Sequence, residues 1–167
     1  MKRDALQRWP FFVYGTLIPG QPNEHLWGKA ITTIESAVLA NSQLYDMGYY
    51  PMLVEQPVGS VIGKLVTVKD QAYLDILARL DALEGFIPDQ PMDSTYRRVK
   101  RDVTTHTGRT AVSWVYIGRR EHVNESQLIA GGDWVAYAVG NQSRMAAWWQ
   151  SVHTVLGRHG DSKNEGG

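Results

Sequence analysis

One carboxylate in this 167-residue chain stands where acid/base chemistry has a use for it. Glu84, in the stretch LDALEGF, follows Tyr73, Leu77 and Leu80 at steps of four, three and four. It therefore continues the apolar stripe of a predicted helix. A carboxylate on the core side of a helix is costly unless it gains partners or a proton. Glu84 also sits at the helix C-terminus, where the dipole disfavours negative charge. Both effects raise its pKa toward neutrality, which suits a general base that must later return its proton. The alternative is a solvated terminal glutamate beside a C-cap glycine.

A second stretch supplies donors. Phe11, Phe12, Val13 and Tyr14 form an apolar, aromatic run suited to a buried strand, and the run stops at Gly15. Gly15, Thr16 and Leu17 then offer successive backbone N–H groups at a strand end. Gly15 permits close approach of a ligand or another backbone, and Thr16 adds a hydroxyl. Such a loop can cradle a carboxylate or a developing oxyanion, though an ordinary turn after a core strand has the same sequence.

Other chemistries are narrowed by composition. The chain has no cysteine, so disulfides, thiolate metal sites and thiol nucleophiles are excluded. The five histidines (His25, His106, His122, His153, His159) show no metal-ligand spacing and no serine–aspartate partners, and no GxSxG elbow is present. Seventeen basic against seventeen acidic residues give no global field for nucleic acid or an anionic membrane. The cluster Arg97, Arg98, Lys100 and Arg101 reads as a solvated or edge strand. Without an apolar leader or spanning run, a cytoplasmic location is expected.

The elements that must position these groups can be placed in order. Residues 1–9 read as a flexible arm, 10–157 as a single domain and 158–167 as a disordered tail. Strands are predicted at 11–14, 30–46 (broken near Asn41-Ser42), 52–54 and 58–68, with Gly59 and Gly63 as bulge or close-approach points. A helix from an Asp70 N-cap to Leu83 follows, its stripe made by Tyr73, Ile76, Leu77, Leu80 and Leu83 and its end marked by Gly85. Residues 95–107 and 110–117 read as a hairpin across Gly108-Arg109. Residues 119–140 read as irregular, with a turn at Gly131-Gly132-Asp133. Asn141–Leu156 reads as a second helix carrying Met145, Trp148, Trp149, Val152 and Leu156. The fold class is α+β, with a mainly antiparallel, curled sheet.

Several linked motifs resemble the γ-glutamylcyclotransferase-like superfamily: Tyr14-Gly15-Thr16-Leu17 with Gly20, LYDMGYYPML at 44–53, GSVIGKLVTV at 59–68, LDALEGF at 80–86, YRRVKRDV at 96–103 and AVSWVYIG at 111–118. The YGTL tetrapeptide is similar to that of bacterial members and γ-glutamylamine cyclotransferase. The resemblance implies a small β-barrel with flanking helices, a substrate-binding loop at Tyr14–Leu17, Glu84 as acid/base, and no cofactor. Tyr96, which opens the strand after the helix, is a candidate lining residue or a core tyrosine.

The implied reaction is consistent with the residues present. A γ-glutamyl compound carries its own nucleophile, the α-amine, set to close a five-membered lactam on the γ-carbonyl. Intramolecular attack can be worth roughly 7–11 kcal/mol, so no Ser or Cys nucleophile is needed. A base, an acid and oxyanion donors suffice, and the products are 5-oxoproline and a free amine. The partner is then a small γ-glutamyl molecule, with no nucleic acid and no membrane. Two other readings use the same chain: a small-molecule binding or regulatory module on the same barrel, and an interaction protein built on the Trp-rich final helix. Neither the leaving amine nor the oligomeric state follows from the sequence.

Overall fold

Phe11–Val13 form strand β1, and all three residues are buried, as an uninterrupted apolar run requires. In this computed structural model, which describes residues 7–48, 50–87, 89 and 94–141, β1 is the centrepiece of a small barrel. It pairs antiparallel with β3 (Pro51–Val68) and parallel with β5 (Thr110–Ile117). Strand β4 (Arg97–Thr105) forms a hairpin with β5 and meets β2 (Ile31–Asp46) at Thr104 and Thr105. β2 pairs along its length with β3, closing the ring in the order β3-β1-β5-β4-β2. A two-residue strand, β6 (Leu128–Ile129), adds to β2. The expected curled, mainly antiparallel α+β fold is present.

β2 and β3 are longer than the sequence pattern indicates. The predicted strands at 52–54 and 58–68 are one element, and the break expected near Asn41 is a bulge inside the β2–β3 ladder. Ala40 faces Ser60 and Ser42 faces Glu55, so Asn41, at φ 54°, stands opposite a four-residue excursion. Gly59 sits in that excursion at φ 91°, packed against Gln43 and the Ser42 carbonyl. Gly63 is a close-approach point, as expected: a Cβ there would overlap the Val13 carbonyl oxygen and lie 2.8 Å from Phe12 Cζ.

The helix α1 (Tyr73–Glu84) follows β3 and ends at Gly85, whose φ of 68° is left-handed. Two details differ from expectation. Asp70 is not a side-chain cap; it opens a 3₁₀ turn, Asp70–Ala72, that leads into the helix. The buried face is Tyr73, Ile76, Leu80 and Asp81, whereas Leu83 is exposed. The stripe thus turns toward Asp81 at the helix end, because that carboxylate finds an arginine there.

The chain divides after Trp134. Residues 119–140, expected to be irregular, contain two 3₁₀ turns, β6 and a seven-residue helix α2 (Trp134–Gly140). Seven residues are too few to display a helical stripe. Asn141 is a turn residue; the rest of the second predicted helix and the tail lie outside the described residues, as do residues 1–6 of the arm. The arm is tied down from Arg8 onward. The Arg8 guanidinium lies 5.9 Å from the Tyr73 ring centroid, and Trp9 meets Trp114 edge-on at 5.4 Å. No described helix is long and apolar enough to cross a membrane.

Gly63→Ala should destabilise the fold by about 1–3 kcal/mol, since β1 and β3 must part to admit the methyl group. Urea denaturation reads this directly, and an unchanged midpoint would contradict the close packing described.

Candidate active site

Four chain segments end at one rim of the barrel: the end of β1, the start of β3, the end of β5 and the C-terminus of α1. Gly118, just after β5, donates its N–H to the Leu53 carbonyl at 2.8 Å, and a Cβ there would overlap Met52. Gly15 is equally constrained. A Cβ there would lie 2.5 Å from Pro51 Cγ, so what comes close to this glycine is the proline ring that opens β3.

The loop after β1 is held by its carbonyls. Gly15 O accepts from Ile18 N at 3.0 Å, Thr16 O from Asn23 N at 2.9 Å, and Leu17 O from the Trp27 indole at 2.7 Å. Thr16 Oγ1 accepts from Asn23 Nδ2 at 2.9 Å. In contrast, the N–H groups of Gly15, Thr16 and Leu17 donate to no protein acceptor among the described residues. Three successive amides left over by the fold are what an anion-binding loop requires.

Three tyrosines stand beside the loop. Tyr14 is buried and donates its hydroxyl to the Tyr116 carbonyl at 2.6 Å. Tyr96 donates to the Pro51 carbonyl at 3.3 Å, and Tyr116 donates to Asp81 Oδ1 at 2.6 Å. All three phenols are pushed up, first by burial; the nearby Glu84 carboxyl adds to each shift. They are neutral donors at physiological pH.

Glu84 closes the group. The residue as a whole is half-buried, yet its carboxyl is desolvated and its pKa is pushed up to about 7, with burial as the cause. The carboxyl makes no hydrogen bond or ion pair among the described residues. It acts electrostatically on the Tyr14, Tyr96 and Tyr116 hydroxyls. The residues singled out in sequence, Tyr14, Gly15, Thr16, Leu17, Glu84 and Tyr96, therefore gather at one rim.

Sequence reasoning missed Asp81, Arg98 and Tyr116. Arg98 belongs to the basic cluster expected to be solvated, but its side chain is only 12% exposed. It grips Asp81 with Nε to Oδ1 at 2.8 Å and Nη2 to Oδ2 at 3.3 Å. The rest of that cluster matches the solvated reading better: Arg101 pairs with Glu55 at the surface, and Lys100 lies over the Trp9 ring. A usable signal existed for Asp81, which lies three residues before Glu84 on the same side of the helix. Tyr116 carried none, since its role depends on contacts distant in sequence. Among the described residues, no cluster of His, Asp and Glu could hold a metal ion.

A family model described as gamma-glutamyl cyclotransferase, AIG2-like, matches residues 11–136. A Vibrio cholerae protein with the provisional name gamma-glutamylcyclotransferase is 37% identical over 129 residues, covering 74% of this chain and 92% of its own length. The gamma-L-glutamyl-butirosin B gamma-glutamyl cyclotransferase of Niallia circulans is 28% identical over 134 residues, 79% of each chain. Among solved structures, YkqA from Bacillus subtilis aligns with a TM-score of 0.60 at 22% identity, over 82% of this chain and 43% of that longer one. A mouse AIG2-like protein aligns with a TM-score of 0.55 at 20% identity, over 75% and 87% of the two chains. These likenesses show the fold, and the family match covers both the loop after β1 and the end of α1. The chain belongs to the gamma-glutamyl cyclotransferase, AIG2-like family.

Proposed function

We propose that the protein cyclises a γ-glutamyl amine, amino acid or peptide to 5-oxoproline and releases the free amine, with Glu84 as the acid/base. The observation that carries this reading is a carboxyl poised at about 7, without a hydrogen-bond partner, beside a loop of unused amides. Glu84 takes a proton from the substrate α-ammonium, and the freed amine attacks the γ-carbonyl. The oxyanion that forms is held by the N–H groups of Gly15, Thr16 and Leu17. The same carboxyl, now protonated, delivers its proton to the departing nitrogen as the C–N bond breaks, and the second proton shed by the attacking nitrogen as it becomes the lactam N–H leaves with the amine as its ammonium form. A carboxyl balanced near the working pH can perform both transfers in one cycle. Tyr14 and Tyr96, whose hydroxyl protons go to the Tyr116 and Pro51 carbonyls, act as neutral walls around the glutamyl part.

The leaving amine is open to test, and the Niallia relative, named for gamma-L-glutamyl-butirosin B, is a reason to include an antibiotic amine among the candidates. The chain should be incubated with γ-glutamyl amino acids, γ-glutamyl-ε-lysine, γ-glutamyl polyamines, a γ-glutamyl aminoglycoside and glutathione, and 5-oxoproline measured. Release from at least one is expected. Binding across the panel without 5-oxoproline would favour the binding-module reading.

Glu84→Gln should lower kcat by about 10²–10⁴ while leaving KM within a few fold. In the wild type, kcat should rise with pH through about 7, because the carboxylate is the form that accepts the proton. A pH-independent kcat between 5.5 and 8.5 would contradict the assignment.

The same shift links to stability. Burial holds the folded-state pKa above the ordinary value of 4.5, so the folded state favours the protonated carboxyl. The stability this lends is complete below pH 4.5 and is lost as pH rises to about 7. Relative to Glu84→Gln, the wild type should weaken over that window by up to about 3 kcal/mol and then level off. Denaturation of both proteins from pH 5 to 8 reads the difference; parallel profiles would mean an ordinary, solvated carboxyl.

A further inference from the structure

Asp81 is the other acidic group on the last turn of α1, and the proposed chemistry does not use it. It is buried, and each of its polar atoms has a purpose elsewhere in the fold. Its Oδ1 is shared by the Tyr116 hydroxyl and Arg98 Nε, and its Oδ2 receives Arg98 Nη2. Its backbone carbonyl accepts the N–H of Phe86 at 2.9 Å, completing the helix cap. Arg98 is itself immobilised, with its guanidinium carbon 4.3 Å from the Trp114 ring centroid and 5.3 Å from that of Phe86.

The path continues beyond Tyr116. Its backbone carbonyl accepts the Tyr14 hydroxyl, and Tyr14 leads directly into the loop of free amides. Covalent structure and hydrogen bonds thus connect the helix turn that carries Glu84 to the loop that would hold the oxyanion. The other polar ties from α1 to this part of the chain, Arg79 to the Leu26 carbonyl and Tyr73 to the Trp9 carbonyl, start earlier on the helix than Asp81.

We propose that Asp81 is a positioning residue for the cyclisation: by clamping Tyr116 and Arg98 it fixes the Glu84 carboxyl relative to the amide loop. It also cancels the charge of Arg98 at the edge of the site. This inference rests on the assignment of Glu84 as acid/base. The groups that face Glu84 are Tyr14 at the end of β1, Tyr96 before β4 and Tyr116 on β5; Asp81 on its own helix and Arg98 on β4 stand behind Tyr116. Arg98 and Glu84 both act electrostatically on the Tyr116 hydroxyl, so an unbalanced Arg98 would be felt at Glu84.

The test uses Asp81→Asn, which keeps shape and one acceptor oxygen but removes the charge, and Tyr116→Phe, which leaves the ion pair intact. Both should lower kcat for 5-oxoproline release by about 10–100-fold with KM within about threefold. In Asp81→Asn, the Glu84 titration followed by carbon NMR, and the rising limb of kcat with it, should move down by about one pH unit as Arg98 loses its counter-charge. Tyr116→Phe should leave that midpoint nearly in place. A purely structural ion pair would lower the melting temperature of Asp81→Asn and move neither kcat per folded molecule nor the Glu84 midpoint, which would overturn the inference. Should Asp81→Asn fail to fold, Tyr116→Phe decides: wild-type kcat there overturns it. A wild type that releases no 5-oxoproline would defeat the cyclotransferase reading, and the NMR midpoints would then decide the positioning claim alone.

Discussion

The constraint on which this site depends is the removal of one carboxyl from water without giving it a partner. Most buried carboxylates are stabilised by an arginine or by backbone donors, and their pKa values fall. Among the described residues Glu84 has neither, and it lies at the helix end where the dipole opposes a negative charge. The folded state therefore favours the protonated form near neutrality, and ionising it is opposed by desolvation. Such an arrangement weakens the fold locally. It persists because the surrounding structure, a closed barrel with buried Tyr14, Tyr96 and Tyr116, over-determines the position of the helix end.

The barrel supplies that rigidity through its connectivity. β1 is only three residues long, but it lies between β3 and β5 and every side chain it carries is buried. Gly63 admits the Val13 backbone, Gly15 admits Pro51 and Gly118 admits Met52. Those three approaches fix where the ends of β1, β3 and β5 lie relative to one another. The parallel pairing of Phe11 with Trp114 brings the ends of β1 and β5 to the same rim, where α1 also terminates. An antiparallel neighbour would have sent Tyr116 to the opposite rim from Tyr14.

How much of this was legible follows from the range of the interactions involved. β1, α1 and the β4–β5 hairpin were readable because each is written in local periodicity, and Glu84 was readable because it extends a stripe. Leu83 was misplaced because the stripe was read from hydrophobicity alone, and at the last turn an ion pair outweighed a leucine: Asp81 is buried with Arg98 while Leu83 faces water. Arg98 looked like its basic neighbours since nothing in YRRVKRDV distinguishes the arginine that meets Trp114 and Phe86 from those that meet solvent. Tyr116 and the parallel β1–β5 pair depend on residues about one hundred positions apart, beyond any local pattern. The join of β3 across 55–57 has no local signal, because Glu55, Gln56 and Pro57 interrupt the apolar pattern, although Gln56 is buried and donates to the Tyr45 hydroxyl.

The charges around the site show why so few arrangements would serve. An acid/base that works in both directions needs its two protonation states close in free energy at the working pH, and each pKa unit away from that balance is about 1.4 kcal/mol. A free arginine beside Glu84 would hold the carboxylate and remove the proton donor, whereas a second free carboxylate would hold the acid and remove the base. Arg98 and Asp81, behind Tyr116, are paired with each other at 2.8 Å, and burial is the cause of the Glu84 shift. Among the described residues, the groups that couple to the carboxyl are the neutral phenols of Tyr14, Tyr96 and Tyr116, which favour neither extreme strongly. The ion pair can therefore anchor the helix end mechanically while adding little net field to the site, a combination that neither residue could provide alone.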